Sequence, residues 1–154
     1  MSHTGQIVGR VNEITTVSKI KHGHVEIVRL ALNNSAPLAL KTLADIETIH
    51  YACWVIVPMN DEHYLLFVSN YTGTFDKYID DFASVLQLHL GLDAIWSNCE
   101  GWTGTEDVQA LKDLILRTAT GADLYYAAYP DVTVRDVMRT QRAAKVVEEF
   151  LELS

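Results

Sequence analysis

Two neighbouring segments near the middle of the chain carry apolar side chains on both of their faces. Residues 49–57 are IHYACWVIV, and residues 64–70 are YLLFVSN. Their alternation and their content of β-branched and aromatic residues predict two β-strands, with residues 58–63 as the turn between them. Because both faces are apolar, we expect both faces of this hairpin to be covered.

The alternation also assigns side chains to faces of the first strand. His50 and Trp54 fall on one face, and Tyr51 and Cys53 fall on the other. Helices of the same chain can cover one face of the sheet, but few further strands remain to cover the second. The economical cover is a second copy of the chain, packed sheet to sheet about a two-fold axis. The sequence therefore predicts a homodimer through the sheet face.

The N-terminal third predicts one strand, one short helix and a further segment with two possible structures. Residues 6–20 are rich in Val, Ile and Thr, which favours a strand with a bend at Gly9. Apolar residues at helical spacing then predict a short helix over residues 24–32, and Pro37 marks a break after it. Residues 38–47 are either a second short helix or an irregular connection.

Capping residues mark the helices after the hairpin. Thr74 is the predicted N-cap of a helix that ends at Gly91, and Thr105 is the predicted N-cap of another that ends near Thr118. Thr133 and Asp136 resemble a capping box that opens a last helix to about Leu153. The first of these helices has an apolar face made of Phe75, Ile79, Phe82, Leu86 and Leu90.

Between these helices we expect a loop over residues 92–104 and a final strand over residues 124–129, LYYAAY. The predicted order is an α+β, ferredoxin-like βαββαβ arrangement with an inserted loop and helix and a C-terminal helix. A chain of 154 residues fits a single domain, here residues 1–154.

Composition narrows the range of partners. The net charge is −8 and the twelve basic residues are scattered, which argues against nucleic acid. The apolar runs are too short to span a membrane, and no signal peptide is visible, so the expected location is the cytoplasm. Cys53 lies in an apolar strand, which is ordinary for a free thiol, although a disulfide with Cys99 stays open.

Four motifs stand out in the chain: HYACWVIV, YLLFVSNYTGTFDKYIDDF, GLDAIWSNCEGW and YYAAYPDVTVRDV. Together they resemble the dimeric α+β barrel superfamily, specifically a ferredoxin-like group within it. The resemblance covers roughly residues 48–137, with Cys53 where that group's pattern has Arg and Thr72 where it has Asp. It implies a homodimer with facing sheets and a pocket between each sheet and its own helices. The superfamily includes cofactor-independent monooxygenases, haem-binding enzymes and ligand sensors, so haem is implied by analogy only.

Five residues near the hairpin are the candidates for a site. His50 is a possible general acid or base, or else a hydrogen-bonded histidine at a strand end. Asn70 and Tyr71 follow the second strand, where pocket rims are common, although Asn also suits a turn. Trp54 and Trp96 could hold a flat aromatic substrate, or the tryptophans could close the core.

No cofactor or metal is expected from the spacing of ligands. His22 and His24 are two residues apart, but no third ligand stands near them. Two functions stay open. The first is an oxygenase or isomerase acting on a small hydrophobic or aromatic compound without a cofactor. The alternative is a non-catalytic dimeric module that binds a ligand or only assembles.

Overall fold

The computed structural model describes residues 7–88 and 90–153 and has a mixed α+β architecture. The strands form one antiparallel sheet in the order β1-β2-β4-β3. In chain order the elements are β1 (Ile7–Val8), β2 (Val11–Lys19), α1 (Val25–Ala44), β3 (Ile49–Met59), β4 (Glu62–Thr72), α2 (Phe75–Leu88), α3 (Leu90–Trp96), α4 (Val108–Thr118) and α5 (Val134–Glu152).

The predicted hairpin is present and is longer than its sequence pattern suggested. β3 and β4 pair from Met59 opposite Glu62 to the far end of both strands. Only Asn60 and Asp61 remain in the turn, with φ angles of 51° and 64°. Two-residue turns with positive φ suit the twist of a hairpin, and Asn and Asp tolerate that region. The six-residue turn predicted over residues 58–63 is therefore wrong.

One face of the sheet is covered by helices and forms the core. Leu65 and Phe67 of β4 are buried in a cluster with Val28 of α1 and Ile95 of α3. A second cluster joins Ile14 of β2 to α2 and α4. The helical cover predicted for one face of the hairpin is thus observed.

The opposite face, which we call the open face, has no such cover in the described part of the chain. Tyr51 is 77% exposed and Val55 is 43% exposed. Cys53, between them, is an exposed free thiol, and Cys99 is a buried free thiol. Cover of the open face by a second copy stays a prediction.

The first helix is continuous where the sequence predicts a break. α1 runs for 20 residues and passes through Pro37. A proline inside a helix removes one hydrogen bond and costs about 3 kcal/mol in isolation. Here Val28 before it and Leu43 after it are both buried in the same core cluster. Packing at both ends holds a single helix. The helix predicted over residues 24–32 is therefore present, residues 38–44 are helical as one of the two alternatives had it, and the break predicted at Pro37 is wrong.

The bend predicted at Gly9 is confirmed and is tighter than expected. Gly9 has a φ of 64°, and Val8 pairs with Val11 across it. The segment predicted as one strand is therefore two strands folded back on each other. Arg10 N donates a 2.8 Å hydrogen bond to the carbonyl of Pro130, which ties this turn to the C-terminal part of the chain.

The last predicted strand, residues 124–129, does not form. The edge of β2 that it would need is already occupied. β1 pairs at one end of this edge, and Thr16 forms an isolated bridge with Ala119 in the middle. At the other end Ile20 forms a bridge with Cys99. The final β of the predicted βαββαβ order is thus missing, and residues 122–132 cross the end of the sheet as an irregular segment.

The helix caps were predicted with mixed success. The Thr133–Asp136 capping box is present, and Thr74 Oγ1 accepts a 3.3 Å hydrogen bond from Lys77 N.

The cap predicted at Thr105 is wrong, because Asp107 caps α4 by accepting from Ala110 N. The end predicted at Gly91 is also wrong, since α3 begins at Leu90 and occupies part of the predicted loop. Leu86 and Leu90, assigned to the apolar face of α2, lie outside the described side chains.

Candidate functional site

A groove lies at one end of the open face, where the hairpin meets the irregular segment 122–132. Its volume is about 340 Å³. One wall comes from the hairpin and the other from the irregular segment and the start of α5. The walls include His50, Tyr51, Asn70, Tyr125, Tyr126 and Tyr129. The lining is mostly apolar and contains four tyrosines, as is usual for small-molecule pockets.

A bulge in β3 places His50 in this groove. Ile49 pairs with Tyr71 and Tyr51 pairs with Asn70, so the register shifts between Ile49 and Tyr51. Bulges re-aim side chains and are common beside functional sites. Simple alternation predicts that His50 shares a face with Trp54. In the structure the two have different surroundings: His50 lines the groove beside Tyr51, and Trp54 packs against the core.

His50 is held in an apolar environment without a stabilising charge. Burial lowers the pKa of its imidazole below the ordinary value of 6.5, so the ring is neutral near pH 7. Its Nε2 is buried and has no hydrogen-bond partner among the described residues. A buried polar atom without a partner is uncommon in proteins and calls for an explanation such as a bound ligand or water.

Two hydrogen bonds fasten the irregular segment to the sheet. Asn70 Nδ2 donates to Tyr125 Oη at 3.3 Å. Ala122 N donates to Glu13 Oε2 at 3.1 Å, and the other carboxylate oxygen of Glu13 accepts from the Thr15 hydroxyl. Burial and then the Glu13 carboxylate raise the pKa of Tyr125, against a smaller opposite effect of Asn70. The hydroxyl of Tyr125 is therefore a neutral group at physiological pH.

The pocket predicted between the sheet and its helices is filled by aromatic rings. Trp96 is the centre of this aromatic cluster, with ring centroids 5.4 Å from Phe67, 5.6 Å from Phe82 and 6.0 Å from Trp102. Trp54 joins it at 6.1 Å from Trp96. The cavity left beside these rings is about 30 Å³, roughly the space of one water.

The five predicted site residues therefore separate into two groups. His50 and Asn70 meet in the groove. Trp54 and Trp96 belong to the aromatic cluster, and Tyr71 is buried with its ring stacked on Tyr78, centroids 4.2 Å apart. These three residues support the core, and of them only Trp96 borders a cavity, the small one.

The sequence did not predict that the tyrosines of the irregular segment form one wall of the groove. The pattern LYYAAY favours a strand because of its aromatic content, and a strand over residues 124–129 would use Tyr125, Tyr126 and Tyr129 for packing within the sheet. A signal was present, since Gly121 before the run and Pro130 after it allow only a short element. Tyr126 and Tyr129 are in fact exposed.

The described residues offer few ways to hold a metal. No group of three or more His, Cys, Asp or Glu side chains is placed to do so within residues 7–88 and 90–153. His24 Nδ1 is 2.8 Å from the Asn98 amide oxygen, which accounts for one member of the His22–His24 pair. In the same part of the chain, no helix has the length and apolar content needed to cross a membrane.

Comparison with protein-family models, with curated proteins and with solved structures finds no match to this chain. Its function must therefore be argued from the groove and from the open face beside it.

Proposed function

We propose that this protein is a homodimeric module that binds a small, neutral, flat molecule in the groove beside His50. The observation that carries the proposal is the buried His50 Nε2, which has no partner among the described residues and lies in a wall of a 340 Å³ groove. A ligand with one hydrogen-bonding group would satisfy such an atom, while a solvated strand end would not leave it buried.

The chemistry of the walls points to the class of ligand. Tyr51, Tyr126 and Tyr129 present aromatic surface, which favours a flat apolar partner. His50 is neutral near pH 7, and the amide of Asn70 and the hydroxyl of Tyr125 are neutral as well. Neither a carboxylate nor a cationic side chain lies among the described residues that line the groove. A phenol, a quinone or a similar ketone fits these groups better than an organic ion.

The homodimer is supported by the open face next to the groove. Exposed Tyr51, Cys53 and Val55 form an apolar surface on β3, and a surface of this kind commonly marks an interface. In the proposed dimer the open faces of two copies pack together, as in the superfamily that the sequence motifs resemble. The partner would then close the side of the groove that is now open to solvent.

Binding is favoured over catalysis because no described residue orients His50 as an acid or base. Catalytic histidines are usually positioned by a second group and can reach the proton that they transfer. His50 Nε2 is buried and unpartnered in the described part of the chain. A cofactor-independent oxygenase or isomerase remains the second candidate, since a neutral imidazole with a lowered pKa can act as a base once a substrate reaches it. Turnover of a quinol that disappears in His50→Ala would establish that candidate.

Haem, which the resemblance implies by analogy, does not fit the groove as it stands. The groove, at about 340 Å³, is at the lower end of the range of small-molecule pockets, about 300–1,000 Å³, which suits a ligand smaller than a tetrapyrrole. We therefore derive no step through haem.

Ligand binding is tested by titrating the protein with 2-naphthol and following amide chemical shifts. We expect shifts at residues of the groove and an affinity at least tenfold weaker in His50→Ala. The matched control is His63→Ala, because His63 is a half-buried histidine at the other end of the hairpin. Unchanged affinity in His50→Ala, or shifts confined to the aromatic cluster, would contradict the proposal.

The dimer is tested separately by sedimentation. Val55→Glu places a charge in the middle of the open face and is expected to shift the chain toward a monomer at least tenfold in dissociation constant. Leu40→Glu is the matched control, since Leu40 is exposed on α1, which packs on the covered side of the sheet. Equal masses for Val55→Glu and the unmodified chain would exclude this interface.

A further inference from the structure

A cleft beside the start of α5, which we call the arginine cleft, collects basic side chains in an otherwise acidic protein. The chain has a net charge of −8 and twelve basic residues, of which six are arginines. Four of these arginines line one cleft of about 400 Å³, together with Thr133 and two acidic residues. A concave site lined mainly by one sign of charge concentrates ligands of the opposite sign. The arginines are Arg10, Arg135, Arg139 and Arg142, and the acidic residues are Glu47 and Asp136.

Three of the four arginines come from one side of α5. Arg135, Arg139 and Arg142 are four and then three residues apart, which places them on successive turns of the same side of a helix. α5 also begins here, with Thr133 as its N-cap. The amide groups at a helix N-terminus favour negative charge. The helix therefore adds its own positive end to the three guanidinium groups.

The fourth arginine comes from the opposite end of the chain, and its backbone is tied to the start of α5. Arg10 N donates a 2.8 Å hydrogen bond to the carbonyl of Pro130, three residues before the N-cap of α5. Hydrogen bonds from Thr133 lower the pKa of Asp136, and the charges of Arg139 and Arg10 lower it further. A tertiary contact, in addition to helical spacing, thus builds the arginine cleft.

The carboxylates of the arginine cleft leave two guanidinium groups without an ion pair. Each carboxylate holds one guanidinium group, at 2.6 Å and 3.3 Å. The guanidinium groups of Arg10 and Arg142 form no ion pair with the described residues. Arg142 Nε donates instead to the carbonyl of Met138, at 3.3 Å. The cleft therefore has an excess of positive charge, which matches a ligand with two negative charges.

We propose that the arginine cleft binds the phosphate groups of a small molecule. Guanidinium groups donate paired hydrogen bonds that match the oxygens of a phosphate. The volume of about 400 Å³ lies within the range of sites that hold whole small molecules. It leaves room for a diphosphate, or for the organic part of a phosphate ester. Because the rest of the chain is strongly acidic, a small phosphate compound suits the cleft better than a nucleic acid.

The arginine cleft is separate from the groove beside His50. The two linings share no residue. Phosphate binding therefore depends neither on the ligand proposed for the groove nor on the open-face dimer. His50→Ala and Val55→Glu are both expected to retain it, so failure of those proposals is distinguished from failure of this one.

The test is a calorimetric titration of the full chain with inorganic diphosphate, together with NMR of the arginine Nε–H signals. The salt concentration is about 0.15 M, at which charges more than about 8 Å apart are largely screened. We expect saturable binding that shifts the signals of Arg10 and Arg142. Arg10→Gln and Arg142→Gln are each expected to weaken the affinity about tenfold. No saturable binding, or unchanged affinity in both variants, would overturn the proposal.

The matched control is Arg117→Gln, which removes the same charge from an exposed arginine of α4 that lies outside the cleft. This control is expected to bind diphosphate as the unmodified chain does. Citrate is expected to bind at least tenfold more weakly than diphosphate, since its carboxylates are spread over a flexible carbon chain. An equal loss of affinity in Arg117→Gln would reveal a general effect of charge, and equal affinity for citrate would reveal a site for any anion. Either result would refute a phosphate site.

Discussion

Asn70 Nδ2 donates a hydrogen bond to Tyr125 Oη, and this contact joins two walls of the groove that are 55 residues apart in the chain. Asn70 is fixed by the β-ladder on both sides, opposite Glu13 and opposite Tyr51. Tyr125 belongs to a segment without regular secondary structure. The shape of the groove therefore depends on how firmly the sheet holds that segment.

Removing the hydroxyl of Tyr125 should loosen this segment. Tyr125→Phe is expected to lower the free energy of unfolding by about 0.5–1.5 kcal/mol, the usual net value of one hydrogen bond. Amide hydrogen exchange within residues 122–132 should accelerate more than exchange in the sheet. Tyr126→Phe is the matched control, because Tyr126 is 83% exposed. Equal exchange in both variants would show that the bond does not restrain the segment.

Replacing Gly9 should detach the irregular segment from the turn between β1 and β2. A Cβ at Gly9 would lie 2.6 Å from the carbonyl oxygen of Pro130, and the positive φ adds strain. Gly9→Ala is expected to cost about 2–3 kcal/mol in unfolding free energy. Gly73→Ala is expected to cost about 1 kcal/mol, since Gly73 has positive φ but open space around it. Urea unfolding measures both, and equal losses would refute the close approach.

Alkaline pH should destabilise the fold through Tyr71. Burial, and then the Glu13 carboxylate, raise the pKa of Tyr71 to about 12. In the unfolded chain the phenol ionises near 10. The contribution of Tyr71 to the free energy of unfolding is thus fully present below pH 10. It is lost as the pH rises from 10 toward 12, because only the unfolded chain then releases the phenol proton.

The decrease in the free energy of unfolding that Tyr71 causes at alkaline pH is expected to reach roughly 1–3 kcal/mol. Urea midpoints measured between pH 8 and pH 12 should fall less steeply in Tyr71→Phe than in the unmodified protein. Tyr78 contributes in the same direction, since burial raises its pKa and Ser69 nearby only partly offsets this. The exposed Tyr126→Phe should keep the original slope, and an unchanged slope in Tyr71→Phe would count against the assignment.

The two cysteines should react at very different rates. Burial raises the pKa of Cys99 to about 11, with Lys21 acting weakly in the opposite direction, and Cys53 is exposed. At pH 8 a thiol reagent should modify Cys53 in the folded protein and leave Cys99 intact until denaturant is added.

The proposed open-face dimer adds a concentration dependence to this reaction. Labelling of Cys53 should slow as protein concentration rises, whereas Val55→Glu should react at one rate at all concentrations. Rapid labelling of Cys99 in the folded Cys53→Ser variant would show that its burial is not maintained in solution.

The β3–β4 hairpin was the most predictable part of this fold, whereas the bulge within it, between Ile49 and Tyr51, was the least predictable. Period-two alternation correctly predicted β3 and β4 as paired strands with one face covered by helices, because a buried face leaves a strong sequence signal. The bulge before Tyr51 leaves no such signal. The single extra residue of the bulge places His50 in the groove. Alternation had instead predicted His50 on the same face as Trp54.

Local signals also failed where packing outweighs them. Pro37 is a strong breaker in isolation, yet α1 continues because both of its halves reach the same core. Residues 124–129 have the composition of a strand, but the edge of β2, where the predicted order would place them, is occupied by β1, Ala119 and Cys99. Capping pairs such as Thr133 and Asp136 are predictable because both partners lie within one turn.

The aromatic cluster has a spectroscopic consequence. All three tryptophans of the chain, Trp54, Trp96 and Trp102, belong to it. Tryptophan emission and near-ultraviolet circular dichroism therefore report on a single site, on the covered side of the sheet. Tyrosines line the groove, but Tyr71 and Tyr78 are buried in the core, so the tryptophan signal reports on the covered side alone, whereas the tyrosine signal combines both sides.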